Sequence, residues 1–413
     1  MDRVAVPPAG WNADDLARLG EAIGFGDGRS RYIGGWVRDT LAGVAPGDLD
    51  IGTQLLPESV RANASKAGLT VWASPSGIAH GTVGVVVGGK SVEVTTLRTD
   101  VSTDGRRATV AFTESWEEDA ARRDFTINAL SADPQTGNVF DYFGGRDDLA
   151  AGIVRFIGDP LQRIAEDHLR ILRFFRFHAR FGRGAPEAAG FDACAARAND
   201  LMALSRERIA DELLKLLAST DPAPAIGHML ARAILKPVLP EIDASSRERL
   251  DALVAAERKA GIAGDPIRRL AALLPPDPLR TDEIAARLKL ANAARKRLGA
   301  ALSGPTLPPA ELGYRIGVEG ATDRLLLAGL PEDAQGIVGW SPPRLPMSGG
   351  ALVQRGLGAG PLVARGLKMV EERWIAEGFP DKARVDLIAD QVAAALLRDQ
   401  NSSAASGSSG RAK

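Results

Sequence analysis

Up to about residue 145 the chain alternates short β-branched runs with helical stretches, and from about 160 it turns helical, rich in Ala, Leu and Arg. That change of period limits the fold to an α+β class, with a small mixed α/β part first and an all-α part after it. Strand-like runs fall at 31–33, 48–53, 82–87, 91–96, 108–112 and 139–142, behind a short helix over 12–24. Pro-rich connectors at 237–240, 275–278, 305–309 and 341–346 punctuate the helical part. Two further helices are expected near 361–377 and 380–398. The Ser/Gly/Ala-rich residues from 401 onward predict disorder.

A length of 413 residues suggests two to four domains. No apolar stretch approaches a membrane span, and the first residues lack the pattern of a secretory signal. Cys194 stands alone, so no internal disulfide is possible, and four His with one Cys leave no zinc framework. The expected home is a reducing cytoplasm. A net charge of −1 gives no global field for nucleic acid, so any RNA-binding charge must be local. It is local: residues 155–183 hold seven Arg against Asp159, Glu166 and Asp167.

The densest signal lies between residues 31 and 50. Tyr32-Ile33 ends a strand, Gly34-Gly35 permits a tight turn, and Trp36–Leu41 opens a helix. A helix start of this kind suits phosphate, with Arg38 as a nearby cation. If 48–53 is one strand, Asp48 and Asp50 share a face with Cα atoms roughly 6.5–7 Å apart. Such a pair suits hard divalent cations, magnesium above all, which takes a few carboxylates plus substrate phosphates. Each piece alone favours an ordinary turn or a solvated edge; together they favour phosphoryl transfer. Glu93, opposite Val92 and Val94 in strand alternation, fits a third carboxylate ligand or base, and equally a solvent-facing Glu. Gly84–Ser91 matches the Walker A spacing, but the segment continues as strand where a P-loop needs a helix. Gly88-Gly89 reads instead as a hairpin turn. The Gly356-x-Gly358-x-Gly360 run is a weak dinucleotide motif, since Pro361 follows it.

Arg122-Arg123-Asp124 with Asn128 forms a polar cluster. Arg123 suits a bidentate phosphate clamp. Asp124 and Asn128, one helical turn apart, suit ribose hydroxyls, although an Arg-Arg-Asp cluster is most often a helix cap with an ion pair. Arg163–Arg180 reads as one amphipathic helix. Its polar stripe places Asp167 beside Arg170, with Arg173 following, and its apolar stripe carries His168 towards the core. An Asp and an Arg side by side can read a base edge, or simply form a surface ion pair. Glu207-Arg208-x-x-x-Glu212 is a similar charged helix with both readings open.

In this order the motifs resemble the class II branch of the tRNA nucleotidyltransferase/poly(A) polymerase family, within the polymerase-β superfamily. The matching elements are Gly34-Gly35-x-Val37-Arg38-Asp39, Asp48-x-Asp50, Glu93-Val-Thr-Thr-Leu-Arg98 and Arg122-Arg123-Asp124-Phe-Thr-Ile-Asn128. Phe156-Ile-Gly-Asp-Pro160, Glu166-Asp167-x-x-Arg170-x-x-Arg173 and Glu207-Arg208-x-x-x-Glu212-Leu213 complete them. They cover about residues 30–215. Gly350-x-Leu352 and Gly360-Pro361 look like the family's tRNA-contacting tail.

The resemblance implies an N-terminal helix (1–24), a polymerase-β-like nucleotidyltransferase head (25–150), a base-reading neck (151–220), a body (221–345), a tRNA-binding tail (346–398) and a disordered end (399–413). It implies Asp48 and Asp50 as Mg²⁺ ligands, Glu93 as the supporting carboxylate, and Gly35, Arg38 and Arg123 on the nucleotide. Asp167 and Arg170 would act as a protein template for the base, with Arg173 and Arg176 supporting it. The implied reaction is two-metal addition of CCA to tRNA from CTP and ATP, with release of pyrophosphate. Bacterial poly(A) polymerase is the runner-up, and CC-only or A-only enzymes share the motifs. Ser74–Thr82 looks closer to CCA-adding members than to the Gly-Arg-Arg-Phe-Arg-like signature of the poly(A) branch. No His is followed by Asp, so the phosphohydrolase of some relatives is not expected. Oligomeric state stays open.

Overall fold

The computed structural model describes residues 3–104 and 107–408. Among the described residues there are nine strands: β1 Ser30–Ile33, β2 Asp50–Thr53, β3 Thr70–Trp72, β4 Thr82–Val87, β5 Lys90–Thr96, β6 Arg98–Asp104, β7 Arg107–Phe112, β8 Ser131–Ala132 and β9 Val139–Phe140. Seven of them form one mixed sheet in the order β3-β4-β5-β2-β1-β8-β9, while β6 and β7 pair as a separate ribbon. The β4–β5 hairpin follows directly from its sequence. Val83, Val85, Val92 and Val94 are fully buried, and Gly88-Gly89 turn the chain with φ of 56° and 78°. The Walker-like spacing is therefore hairpin, as its β-branched middle predicts.

The central pairing is not local. β2 runs antiparallel to β1 but parallel to β5, in a register that sets Asp50 beside Glu93. Helices α1 (Ala13–Ile23), α2 (Gly35–Leu41) and α3 (Pro57–Lys66) enclose this sheet over a core that includes Leu19, Ile23, Val37, Ile51 and Val60. Two short helices, α4 (Pro75–Ala79) and α5 (Trp116–Ala121), flank the ribbon, and α6 (Gly145–Ala151) closes the mixed part.

From residue 160 the chain is helical: α7 Pro160–Glu166, α8 Arg170–Phe181, α9 Ala188–Ala196 and α10 Arg206–Leu217, with more to follow. The buried face of α8 carries Ile171, Leu172, Phe174, Phe175 and Phe177. Phe125, fully buried, stacks among Phe156, Phe174 and Phe177 with ring centroids 4.8–6.1 Å apart. This aromatic cluster fixes the segment around Asp124 against α8.

The chain divides into two compact units. The first holds 1–250, 264–275 and 283–291; the second holds 251–263, 276–282 and 292–413. The second unit has its own core of Leu352, Val370, Trp374, Val385, Ile388 and Val392, with Tyr314 and Phe379 packed on it. The two helices expected there run over Pro361–Ala376 and Lys382–Ser408. The last one continues to Ser408, past the point where composition predicts disorder. Its Ala393-Ala394-Ala395-Leu396-Leu397 run is strongly helix-forming, and extending a formed helix adds one hydrogen bond per residue without a new nucleus. The rest of the Ser/Gly-rich end lies outside the described residues. Among the described residues no helix is long and apolar enough to cross a membrane.

Candidate active site

Two cavities meet at Gly35 and Arg38. The first, of about 480 Å³, is lined by Asp48, Asp50, Glu93, Asp39 and Ser91. The strand expected over 48–53 begins only at Asp50, and Asp48 sits in the bend before it. Pro46 lacks a donor and Gly47 favours a turn, so the ladder cannot extend backwards. Both carboxylates still reach the same cavity. Glu93 alternates away from Val92 and Val94 as expected and is exposed to the same space. Burial, the facing Glu93 and then Asp48 push the Asp50 carboxyl up to about 6, against the pull of Arg123. Crowded, partly buried oxygen donors of one sign fit a hard divalent cation. Among the described residues no three Asp, Glu, His or Cys form a complete metal cage.

Gly34 caps α2 with φ 62° and ψ −126°. A Cβ there would lie 2.9 Å from Nη1 of Arg123, so both conformation and space demand glycine. Arg38 is only 6% exposed. Its Nε and Nη2 donate to Asp39 Oδ1 at 2.8 and 2.6 Å, and its Nη1 donates to Asn128 Oδ1. It rests over the rings of Phe177 and Phe181. Three of the five guanidinium N–H donors are thus committed, and the residue lines both cavities.

The second cavity, of about 600 Å³, is lined by Arg38, Arg98, Arg122, Arg123, Arg170, Arg173 and Arg208 with Asp124 and Asp167. This is the local concentration of positive charge that a chain of net charge −1 requires. Asp119 holds both neighbours, Arg122 at 2.7 Å and Arg123 at 3.1 Å. Asp124 and Asn128 are together but turned inwards, each 7% exposed. They are joined across a short 3₁₀ turn, Thr126–Asn128, where the Asn128 amide donates to Asp124 at 2.8 Å. Arg173 donates to the other Asp124 oxygen at 2.7 Å. A chain of polar contacts therefore runs Arg173–Asp124–Asn128–Arg38–Asp39–Arg180, ending in an ion pair of 2.8 Å. Asp124 and Asn128 both take part in this network and both line the second cavity.

The single helix expected over Arg163–Arg180 is broken between α7 and α8. Asp167 leaves helical space at φ −150° and ψ 106°, and its carboxylate accepts from the Leu169 amide. Such a local side-chain bond competes with helix continuation. Asp167 and Arg170 consequently do not pair. Asp167 is held by Arg208 at 2.9 Å, and Arg170 by Glu166 at 2.5 Å, while both face the cavity. His168 is half-buried, with Nδ1 2.9 Å from the Ile164 carbonyl. Arg176 does not line the cavity; it pairs with Glu212 at 2.8 Å and lies over Phe177. The sequence reading does not assign Asp119, Arg208 and Glu212 as holders. For Asp119 a signal exists, the i,i+3 and i,i+4 spacing to the two arginines; for Arg208 and Glu212 the partner is some forty residues away.

A mixed sheet presenting carboxylates beside an arginine-lined cleft, followed by helices, defines a nucleotidyltransferase. Residues 30–155 match the poly A polymerase head domain, and residues 187–246 match a probable RNA and SrmB-binding site of polymerase A. The human mitochondrial CCA tRNA nucleotidyltransferase 1 is 34% identical over 373 residues, covering 84% of this chain and 83% of that protein. A CCA-adding enzyme of Geobacillus stearothermophilus is 39% identical over 230 residues, 55% of this chain and 54% of that one. The crystal structure of the Bacillus stearothermophilus CCA-adding enzyme in complex with CTP superposes with a TM-score of 0.74 at 28% identity, covering 94% of this chain and 99% of that chain. This chain belongs to the CCA tRNA nucleotidyltransferase family.

Proposed function

We propose that the chain extends tRNA at its 3′ end with CCA, using CTP and ATP and releasing pyrophosphate. The observation that carries this reading is the meeting of an acidic and an arginine-lined cavity at Gly35 and Arg38. Family membership supplies the tRNA and the two nucleotides. Asp48 and Asp50 would hold divalent metal, with Mg²⁺ as the ion and Glu93 in support. When bound, such ions lower the pKa of the attacking 3′-hydroxyl and offset the triphosphate charge. The chain's own task is placement. Gly35 lets backbone approach the phosphates, Arg38 and Arg123 supply fixed cations, and Asp124 with Asn128 keeps Arg38 aimed. Asp167 and Arg170 present a carboxylate and a guanidinium to the base edge, kept apart by their separate partners. Arg173 and Arg176 hold that neighbourhood in place through Asp124 and Glu212. Residues 346–398 are assigned to tRNA contact, and the cytoplasm is the proposed compartment.

The test is incubation of the purified protein with tRNA lacking its 3′ CCA, giving CTP and ATP separately and together. Three added nucleotides support CCA addition; long A tracts would select poly(A) synthesis instead. Arg170→Ala is expected to narrow the preference between CTP and ATP by about tenfold to a hundredfold, the value of one good base-edge contact. Single-turnover rates with each nucleotide measure this, and an unchanged ratio would place base reading elsewhere.

Asp50 gives a check that needs no catalysis. Its folded carboxyl titrates at about 6 against an ordinary 3.8, so folding favours the protonated form. Without divalent cation, its contribution to stability is expected to fall as pH rises from about 4 to about 6, because only the unfolded chain releases that proton in this window. Above about pH 6 the penalty is constant. The difference in thermal unfolding between the parent and Asp50→Asn should show that slope, and added MgCl₂ should flatten it. A slope indifferent to magnesium removes Asp50 from the metal site.

A further inference from the structure

A third cavity, of about 360 Å³, takes its lining from the far end of α2, from α6 and from the end of α8. Arg146, Arg180 and Arg183 reach it, against a single carboxylate, Asp147, over an apolar floor that includes Val44 and Phe181. None of the family's matching motifs falls on these residues. We propose that the cavity binds backbone phosphate of the acceptor RNA strand, a few nucleotides back from the growing end. This rests on the reading of the chain as a tRNA-extending enzyme.

Three features support it. The chain as a whole carries a net charge of −1, so three guanidiniums around one small cavity are a local excess. Arginine's planar fork suits phosphate oxygens. Arg183 is already oriented, since its Nη1 donates to the Ala150 carbonyl at 3.0 Å, and Arg180 is fixed by Asp39. The position is also suitable. Along α2 the acidic cavity is lined from Gly35 to Asp39 and this one from Leu41, which lies six residues beyond the Gly35 turn where the nucleotide cavities meet. At about 1.5 Å per residue that is about 9 Å, the rise of about three stacked nucleotides at about 3.4 Å each. An apolar floor beneath the arginines gives a ribose or base something to rest on while its phosphate is held. The chain Arg180–Asp39–Arg38 joins this cavity to the nucleotide site, so a strand seated here is seated in register with the chemistry.

The test uses the full chain and tRNA lacking CCA. Arg183→Ala, and the double variant with Arg146→Ala, are expected to raise the KM for tRNA about tenfold or more. They should leave kcat at saturating tRNA and the KM for CTP unchanged. The slope of log affinity against log salt should become shallower by about 0.7 for each phosphate that is no longer neutralised. Arg183→Lys should recover part of the affinity. Asp147→Asn, which removes the opposing charge at an exposed position, should tighten tRNA binding. Unfolding midpoints near the parent's confirm that the variants are folded. Unchanged tRNA affinity and salt slope in both Arg183→Ala and Asp147→Asn overturn the proposal. So does a raised KM for CTP with tRNA binding intact, because the cavity would then serve the nucleotide or free phosphate. A parent protein that binds tRNA but does not extend it defeats the functional reading instead, and the binding series still decides this one.

Discussion

Asp50→Ala is expected to lower nucleotide incorporation by at least about a thousandfold, about 4 kcal/mol of transition-state stabilisation. The reason is positional. Asp50 opens β2 beside Glu93 on the parallel neighbour, and Asp48 enters the same cavity from the preceding bend. Burial and the like charge of Glu93 push the Asp50 carboxyl up to about 6. A group held under that strain is kept for what it binds, not for the stability it adds. Removing it should leave tRNA affinity close to that of the parent, since Asp119 holds Arg122 and Arg123, Asp124 holds Arg173 and Asp167 holds Arg208. The metal-free variant should be slightly more stable than the parent, because the repulsion with Glu93 is gone. Single-turnover incorporation, tRNA binding and urea unfolding on the same preparation separate these outcomes. Undiminished incorporation refutes the assignment.

Legibility in the sequence divides along local and long-range lines. The β4–β5 hairpin, its Gly88-Gly89 turn and the side on which Glu93 stands follow from alternation within fifteen residues. The helices expected near 361–377 and 380–398 follow likewise from period and connectors, and run over Pro361–Ala376 and Lys382–Ser408. The parallel pairing of β2 with β5, which brings Asp50 to Glu93, is invisible to local pattern, because some forty residues separate the partners. The short strands β3 and β8 carry too few residues for alternation to register. Over 163–180 the expected apolar stripe meets the buried face of α8 at Ile171, Leu172 and Phe175 but misses Phe174 and Phe177, and the helix breaks at Asp167. A side chain that bonds a nearby amide can end a helix without any Pro or Gly to announce it. Asp124 and Asn128 read as a polar cluster, but nothing in the local pattern marks it as an inward one. Only the aromatic packing of Phe125 against α8 turns them from solvent. The residues themselves are therefore readable, and the partners that hold them are not.

Asp124 shows what those partners are worth. Asp124→Ala is expected to cost about 3–5 kcal/mol of unfolding free energy, the range for breaking one side of a buried ion pair. Burial alone would raise the Asp124 carboxyl, but Arg173 and the Asn128 amide outweigh it and hold the group below its ordinary value. Folding therefore favours the ionised form, so this stabilisation is present above about pH 4 and is lost as pH falls through the lowered folded value. Parent and variant should converge in acid. The Phe125 amide and the Asn128 amide also lose their acceptor, and Arg38 loses the support that Asn128 passes on. The KM for CTP should accordingly rise even though Asp124 is almost wholly buried. Truncating Arg173 as well distinguishes the cause. If the loss comes from a guanidinium left with only Glu212, at 3.9 Å, Asp124→Ala combined with Arg173→Met should recover a large part of the stability but not the nucleotide affinity. If the double variant is as unstable as the sum of the single ones, the ion pair is incidental and the hydrogen bonds to Phe125 and Asn128 hold the loop.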